Sequence, residues 1–185
     1  KELLILVAAS FASMGFAGSA FAAGNVCEVK GIGYESIQAC ADAIADGATG
    51  TIKMIADNSG SGLFIAAGAK KNITIDLGGR TIVMDEPLVG SSGTKSQNLH
   101  LEMDNTIVIK NGTLKASENA RSFMMNYADL TLTDVIIDTT TSNQLQFGMS
   151  FVHGNVLIDG ASSILIEDGK TAFDVDYRAT GPYAK

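Results

Sequence analysis

Hydrophobic and polar residues alternate with a period of two along most of the chain from residue 51 onward. Alternation of this kind predicts β-strands that bury one face. Four segments also share one phrase, in which a short strand is followed by a brief break and a second strand. They are NITIDLGGRTIVM (72–84), NTIVIKNGTLKAS (105–117), ADLTLTDVIID (128–138) and NVLIDGASSILIE (155–167).

The repeated phrase predicts a parallel β-helix. The first strands begin near residues 73, 107, 130 and 156, in steps of 34, 23 and 26 residues, and the serine- and glycine-rich loop 89–97 explains the longest step. Repeats at such a period indicate a solenoid, here with three short strands per turn. Like residues should then stack in two inward columns, Ile73, Ile107, Leu130 and Val156 beside Ile75, Ile109, Leu132 and Ile158.

An antiparallel sandwich is the alternative. Asn111-Gly112 and Asp159-Gly160 are typical of type I′ hairpin turns. However, hairpins do not explain why the phrase recurs in one orientation. The one-residue break at Asp134 is also too short for a standard hairpin.

A single helix is predicted over residues 34–46, before the strands. Gly47 stands where a C-terminal cap is expected. The helix would cover the N-terminal edge of the solenoid, since an uncovered sheet edge recruits other chains. Its apolar face is formed by residues at offsets 0, 3, 4 and 7, which are Ile37, Cys40, Ala41 and Ile44.

The first 22 residues are typical of a signal peptide, with an apolar run followed by Ala20-Phe21-Ala22. A membrane anchor is the alternative, because a run of this length can span a bilayer. Glycine and serine in its second half, and the lack of a following basic cluster, favour cleavage. We therefore divide the chain into a signal peptide (1–22), an N-terminal cap (23–50) and β-helix turns (51–185) truncated at the C-terminus.

Export predicts a disulfide between the only two cysteines, Cys27 and Cys40. The alternative is two buried free thiols. A metal site is not predicted, because two cysteines without a nearby histidine do not form a zinc site.

The net charge of the chain restricts the kinds of partner that we expect. The 185-residue chain has a net charge of −7 and a pI of about 4.7. Such a charge repels a phosphate backbone, so we expect no nucleic-acid partner. We also expect no stable membrane insertion, because the apolar leader is removed. Aromatic residues make up only 6% of the chain, which suits columns of branched aliphatic side chains.

Two segments carry a resemblance to a known family. YESIQACADAIADGATGTIKMIAD (34–57) and KNITIDLGGRTI (71–82) resemble exported bacterial proteins of the right-handed parallel β-helix (pectin-lyase-like) superfamily, of adhesin type. The resemblance implies an all-β, right-handed parallel β-helix solenoid with an N-terminal capping α-helix. It does not imply an activity, because the superfamily includes polysaccharide lyases, glycoside hydrolases, adhesins and phage tailspikes.

One outward row holds the candidate catalytic residues. Asp76, Lys110 and Asp159 end successive first strands, with Thr133 between the last two. Two aspartates and a lysine on one face suit calcium binding and proton abstraction beside a uronic acid. The alternative is surface ion pairs between neighbouring turns, which the alternating charge favours. No cofactor or metal is predicted.

The remaining polar candidates are interpreted structurally. His100 and His153 are each predicted to be lone surface histidines, since neither has a serine or cysteine partner for nucleophilic catalysis. Asp134 and Asp138 are predicted to shape turns.

These patterns favour an exported bacterial protein, secreted or at the cell surface, that is not an enzyme. Its role would be adhesive or structural, with weak glycan contact. One alternative is a polysaccharide lyase or glycoside hydrolase of the pectin-lyase-like superfamily. Another is a self-assembling fibre subunit that contacts other copies through its open C-terminal end.

Overall fold

The protein is a β-solenoid of about five turns in the computed structural model, which describes residues 24–91 and 94–176. Each strand returns beside the equivalent strand of the preceding turn, so the predicted all-β parallel solenoid is confirmed. The predicted signal peptide, residues 1–22, lies outside the described residues. Within the described ranges, no helix has the length and apolar character needed to cross a bilayer.

The described residues form fourteen strands and one helix. The strands are β1 (Cys27–Val29), β2 (Ile32–Tyr34), β3 (Thr49–Met54), β4 (Leu63–Ile65), β5 (Asn72–Asp76), β6 (Thr81–Val83), β7 (Gln97–Leu101), β8 (Thr106–Lys115), β9 (Ser122–Asn126), β10 (Asp129–Asp138), β11 (Phe147–Phe151), β12 (Val156–Asp159), β13 (Ser163–Leu165) and β14 (Thr171–Val175). The helix is α1 (Ile37–Asp42).

Two sheets form the walls of the solenoid. The first sheet has nine strands in the order β12-β10-β8-β5-β3-β1-β2, with β6 paired to β8 and β13 paired to β10. The second sheet has five strands in the order β14-β11-β9-β7-β4. All strand pairs are parallel except those that β1 makes with β2 and β3. The antiparallel sandwich is therefore excluded for the described strands, and Asn111-Gly112 lies inside β8 instead of forming a hairpin turn.

Both predicted inward columns are present in the first sheet. Ile73 pairs with Ile107, Ile107 with Leu130, and Leu130 with Val156. The second column stacks in the same register, from Ile75 to Ile158. The side chains of β5, β8 and β10 in these columns are at most 2% exposed. Burial of branched aliphatic residues against like residues of the next turn is thus the main stabilising contact of this wall.

In the second and third phrases, the structure has no break between the two predicted strands, whereas the first and fourth phrases keep one. Strands β8 and β10 run through the predicted break, so the two predicted strands of these turns merge into one ten-residue strand. The backbone turns within the strand at Asn111 and Asp134, which have φ angles of 61° and 55°. Gly112 is required beside Asn111, because an added Cβ would lie 2.6 Å from the carbonyl oxygen of Arg80.

The helix is shorter than predicted. It begins after Ser36, whose side-chain oxygen accepts a hydrogen bond from the Ala39 N–H at 3.1 Å, and its C-terminal cap is Ala43. Gly47 is therefore not its cap, and the Gly47 N–H instead donates to the Ala69 carbonyl. Ile44 is still buried, at 4% exposure, because the chain turns toward β3 with that side chain in the core.

Two contacts attach α1 to the two sheets. The predicted disulfide between Cys27 and Cys40 is confirmed and joins the helix to β1 of the first sheet. The Gln38 side chain donates to the Phe64 carbonyl at 3.1 Å and accepts from the Phe64 N–H at 2.7 Å, on the outer edge of β4. The role of the helix as a cap of the whole solenoid stays a prediction.

The last described turn has an exposed interior. Ile158 continues a column that is buried in earlier turns, yet its side chain is 43% exposed. In the second sheet, Phe173 and Val175 follow Met149 and Phe151 in register and are 42% and 77% exposed. No other described strand thus covers the apolar residues of β12 and β14.

Candidate functional site

The predicted outward row lies in register across the first sheet. Asp76 pairs with Lys110, Lys110 with Thr133, and Thr133 with Asp159. We call these residues, with those that continue them, the charged row. The structure therefore brings together the strand positions of all three candidate catalytic residues, although Thr133 separates Asp159 from the other two.

Asp76 is held by three neighbouring groups. The Lys110 Nζ lies 3.5 Å from its Oδ2, while its Oδ1 accepts from the Gly78 N–H at 3.0 Å and from the Asn111 amide at 3.2 Å. Partial burial by itself raises the pKa of Asp76, but these hydrogen bonds and the lysine charge outweigh it and lower the pKa below the ordinary value. A general base needs a pKa near the working pH, so this carboxylate is better suited to a structural ion pair.

The charged row extends beyond the predicted residues toward the N-terminus. Lys53 pairs in register with Asp76, and its Nζ lies 3.6 Å from the Glu28 carboxylate on β1. Charges of opposite sign therefore alternate over four neighbouring strands. Sequence analysis missed Glu28 and Lys53, because β1 and β3 lie outside the repeated phrase. Their alternation along one wall indicates pairing between turns.

Asp159 has a different environment. Its side chain is exposed, and its Oδ1 accepts from the Gly160 N–H at 2.7 Å. It therefore shapes the turn after β12. Among residues 24–91 and 94–176, no three histidine, cysteine, aspartate or glutamate side chains are grouped closely enough to hold a metal ion.

A third ion pair lies at the end of the same wall. The Lys115 Nζ is 3.7 Å from the Asp138 carboxylate, and Thr140 donates to Asp138 from its N–H and its hydroxyl at 3.0 and 2.6 Å. Burial opposes ionisation of Asp138, but the threonine and lysine contacts outweigh it and lower its pKa. Asp134 accepts from the Ala161 N–H of the next turn at 2.9 Å. Asp138 thus bonds to the backbone of the turn that follows it, as predicted, whereas Asp134 lies inside β10 and bonds to the backbone of the next turn of the solenoid.

His100 is not a surface residue, and that prediction is wrong. Its side chain is 1% exposed, on the outward face of β7. Its Nδ1 lies 2.6 Å from the Gln97 Oε1 and its Nε2 lies 2.8 Å from the Glu102 Oε1. The rings of Phe64 and Tyr127 flank the imidazole, with centroids 5.3 and 5.7 Å away. The histidine is thus enclosed by side chains from neighbouring turns.

The buried His100 group has the composition of a hydrogen-bonded structural cluster. Oxygen atoms of Gln97 and Glu102 face the two ring nitrogens, so a ring N–H on either side has an acceptor. His153 is separate from it and half-exposed, beside a groove with Asp104 and Asp129.

The chain matches no protein-family model, and no curated protein or solved structure matches it either.

Proposed function

We propose that the protein is an exported, non-catalytic β-solenoid with an adhesive or structural role at the cell surface or outside the cell. The observation that carries the proposal is the pairing of Asp76 with Lys110, which engages the candidate base and the candidate cation with each other. An active site would need these groups turned toward a substrate. The residues of the row instead stabilise contacts between turns.

The outward surface of the first sheet supports a role in contact. Thr51, Thr74 and Thr131 occupy one register position on three strands, with Val108 between the last two. A parallel sheet holds the hydroxyl groups of adjacent residues such as Thr51 and Thr74 about 4.8 Å apart. A regular, half-exposed surface of this kind suits weak hydrogen bonding to the hydroxyl groups of a glycan.

Two further features support export. The Cys27–Cys40 disulfide suits an oxidising compartment. The first 22 residues have the pattern of a signal peptide. The resemblance to adhesin-type members of the pectin-lyase-like superfamily agrees with both and extends the proposal to a bacterial cell surface.

The test compares binding with turnover. Purified protein is applied to surfaces that carry neutral or acidic glycans, and it is also incubated with polyuronates while the absorbance of unsaturated products is recorded. We expect glycan binding without product. Turnover that disappears in Asp76→Ala would overturn the proposal and favour the lyase alternative, and absence of binding to every glycan would also overturn the adhesive role.

One observation favours a second role, self-association of two copies through the open end. The exposed interior at Ile158, Phe173 and Val175 is apolar and borders edges of β12 and β14 that pair with no further strand in the described residues. Exposed edges with apolar residues recruit other chains. Sedimentation over a range of concentrations tests this role. Association that Val175→Lys abolishes is expected, and a monomer at all concentrations would contradict it.

A further inference from the structure

We propose that a groove beside the start of the second sheet binds an acidic saccharide through Lys95 and Arg121. The groove has a volume of about 530 Å³ and lies where the loop before β7 meets the corners before β9 and β11. The inference rests on the proposed adhesive function, for which it names the ligand class and the binding site.

Unpaired positive charge is the first observation. Five cationic side chains, including Lys53, Lys71 and Lys110, lie within 4.0 Å of a carboxylate. Within the part of the chain that the structure describes, Lys95 and Arg121 have no such ion pair, although both line this groove. In a protein with a net charge of −7, two unpaired cations in one groove mark a place where an anion is attracted.

The two cations outnumber the one acidic residue that lines the groove, and no ion pair within 4.0 Å joins Glu86 to either of them in the described residues. Glu86 is engaged by its own loop, since its Oε2 accepts from the Leu88 N–H at 3.0 Å. Its Oε1 accepts from the Asn119 amide at 3.4 Å. Hydrogen bonds therefore hold this carboxylate in the wall of the groove, where it is also available as an acceptor for a sugar hydroxyl.

The other polar residues that line the groove can form hydrogen bonds with a saccharide. Side chains of Asn119 and Gln144 contribute amide groups, and Thr94 and Ser96 contribute hydroxyl groups. Amides and hydroxyls both donate and accept hydrogen bonds, which matches the hydroxyl groups of a sugar. The Arg121 guanidinium presents a planar pair of donors that suits a carboxylate or sulfate. The combination favours a sugar that carries an acidic group.

The backbone places these groups on a rigid framework. The Arg121 N–H donates to the Ser96 carbonyl at 2.8 Å, and the Gln146 N–H donates to the Arg121 carbonyl at 2.8 Å. Parallel hydrogen bonding thus extends one residue beyond strands β7, β9 and β11. Because these hydrogen bonds fix the backbone at Ser96, Arg121 and Gln146, binding has to order side chains there and not the main chain. Its walls come from three successive turns, so an extended chain of sugars fits better than a single small anion.

The experiment measures binding to the full chain by calorimetry. The probes are an oligogalacturonate, which carries carboxylates, a sulfated oligosaccharide of similar length, and an uncharged oligosaccharide of that length. We expect at least one acidic probe to bind and the uncharged probe not to bind. The two acidic arms distinguish carboxylate from sulfate as the recognised group.

Charge variants locate the site. Arg121→Gln and Lys95→Gln should each weaken binding about tenfold, because each removes a charge-assisted contact. The matched control is Lys170→Gln, which removes an exposed lysine that has no ion pair in the described residues and lies outside the groove. It should bind as the unchanged protein does. Circular dichroism verifies that each variant is folded.

The possible failures have different meanings. Acidic-probe binding that survives both groove variants overturns this inference and leaves the adhesive function standing. An equal loss in Lys170→Gln shows general attraction by charge and also overturns the groove. Equal binding of the uncharged probe overturns the ligand class. Absence of binding to all three probes overturns the inference, and the adhesive function fails only if the wider glycan surfaces are also not bound.

Discussion

The outward faces of the two sheets differ in their exposure to solvent. In β8 of the first sheet, buried Ile107 and Ile109 alternate with the exposed or half-exposed Thr106, Val108 and Lys110. In β7 of the second sheet, every residue is buried. The first sheet therefore meets solvent on one side at β8, whereas the second sheet is covered on both sides at β7.

The difference shows where the fold can place polar groups without a large loss of folding free energy. Ion pairs of the first sheet stay partly hydrated, so each contributes roughly 0–1 kcal/mol. Polar groups of the second sheet lose water and need partners, as Asn98 shows by donating to the Ser117 hydroxyl at 3.1 Å. The outward face of the second sheet should thus be far less tolerant of substitution. The following predictions test that contrast.

The largest effect is expected inside the first sheet. Ile107→Ala should lower the free energy of unfolding by about 2–5 kcal/mol, because it opens a cavity in a close-packed column. Urea denaturation followed by circular dichroism measures the loss. Thr106→Ala, on the opposite face of the same strand, should change it by less than about 0.5 kcal/mol. Equal losses in the two variants would contradict the assignment of faces.

The disulfide should rank second. Replacing Cys27 and Cys40 together by alanine removes the covalent link between α1 and the first sheet, which should cost about 3 kcal/mol in the chain-entropy model. Gln38→Ala, which removes the link to the second sheet, should cost about 0.5–1.5 kcal/mol. Thermal unfolding of both variants gives the comparison. A smaller loss for the double cysteine variant than for Gln38→Ala would show that α1 depends mainly on the second sheet.

His100 tests the second sheet directly. His100→Ala should cost about 1–3 kcal/mol although the side chain points outward, because Gln97 and Glu102 lose a buried hydrogen-bond partner. The control is His153→Ala, where the side chain is half-exposed and little loss is expected. Chemical denaturation measures both. If the two variants were equally stable, the outward face of the second sheet would behave like that of the first.

The smallest effect is expected in the charged row. The pKa of Asp76 is lowered in the folded protein, so its contribution to stability is present above the ordinary value of 3.8 and is lost as the pH falls through the lower, folded value. Asp76→Asn should therefore lower stability at neutral pH by no more than about 1 kcal/mol and reduce the loss in acid. Denaturation at a series of pH values measures this. An unchanged acid profile in Asp76→Asn would contradict the pairing.

The sequence predicts the first sheet well because local pattern and repeat agree there. Ile73, Ile107 and Leu130 occupy the same place in each phrase, and parallel stacking then determines their register without further information. The position of Lys110 beside Asp76 follows from the same alignment. Lys53 lies outside the repeated phrase, so the alignment of the phrases does not predict its position beside Asp76.

The second sheet and the groove depend on contacts that no local pattern contains. His100 occupies an outward position in LHLEM, as a surface residue does. It is buried because the rings of Phe64 and Tyr127, from other turns, pack against it. Lys95 and Arg121 fall in separate turns of the sequence, and the coil brings them to one groove. The sequence predicts a longer helix than α1, because Ile44 lies at a helical spacing. Ile44 is instead in the turn after the helix, from which its side chain packs into the core.

The unequal steps between repeats have an evolutionary consequence. A turn between residues 73 and 107 accommodates about ten residues more than the following turn, yet both keep Ile73, Ile107 and Leu130 aligned. Insertions at a corner therefore leave the interior undisturbed. The segment before β7 can therefore change in length and sequence while the buried columns of the first sheet keep their register.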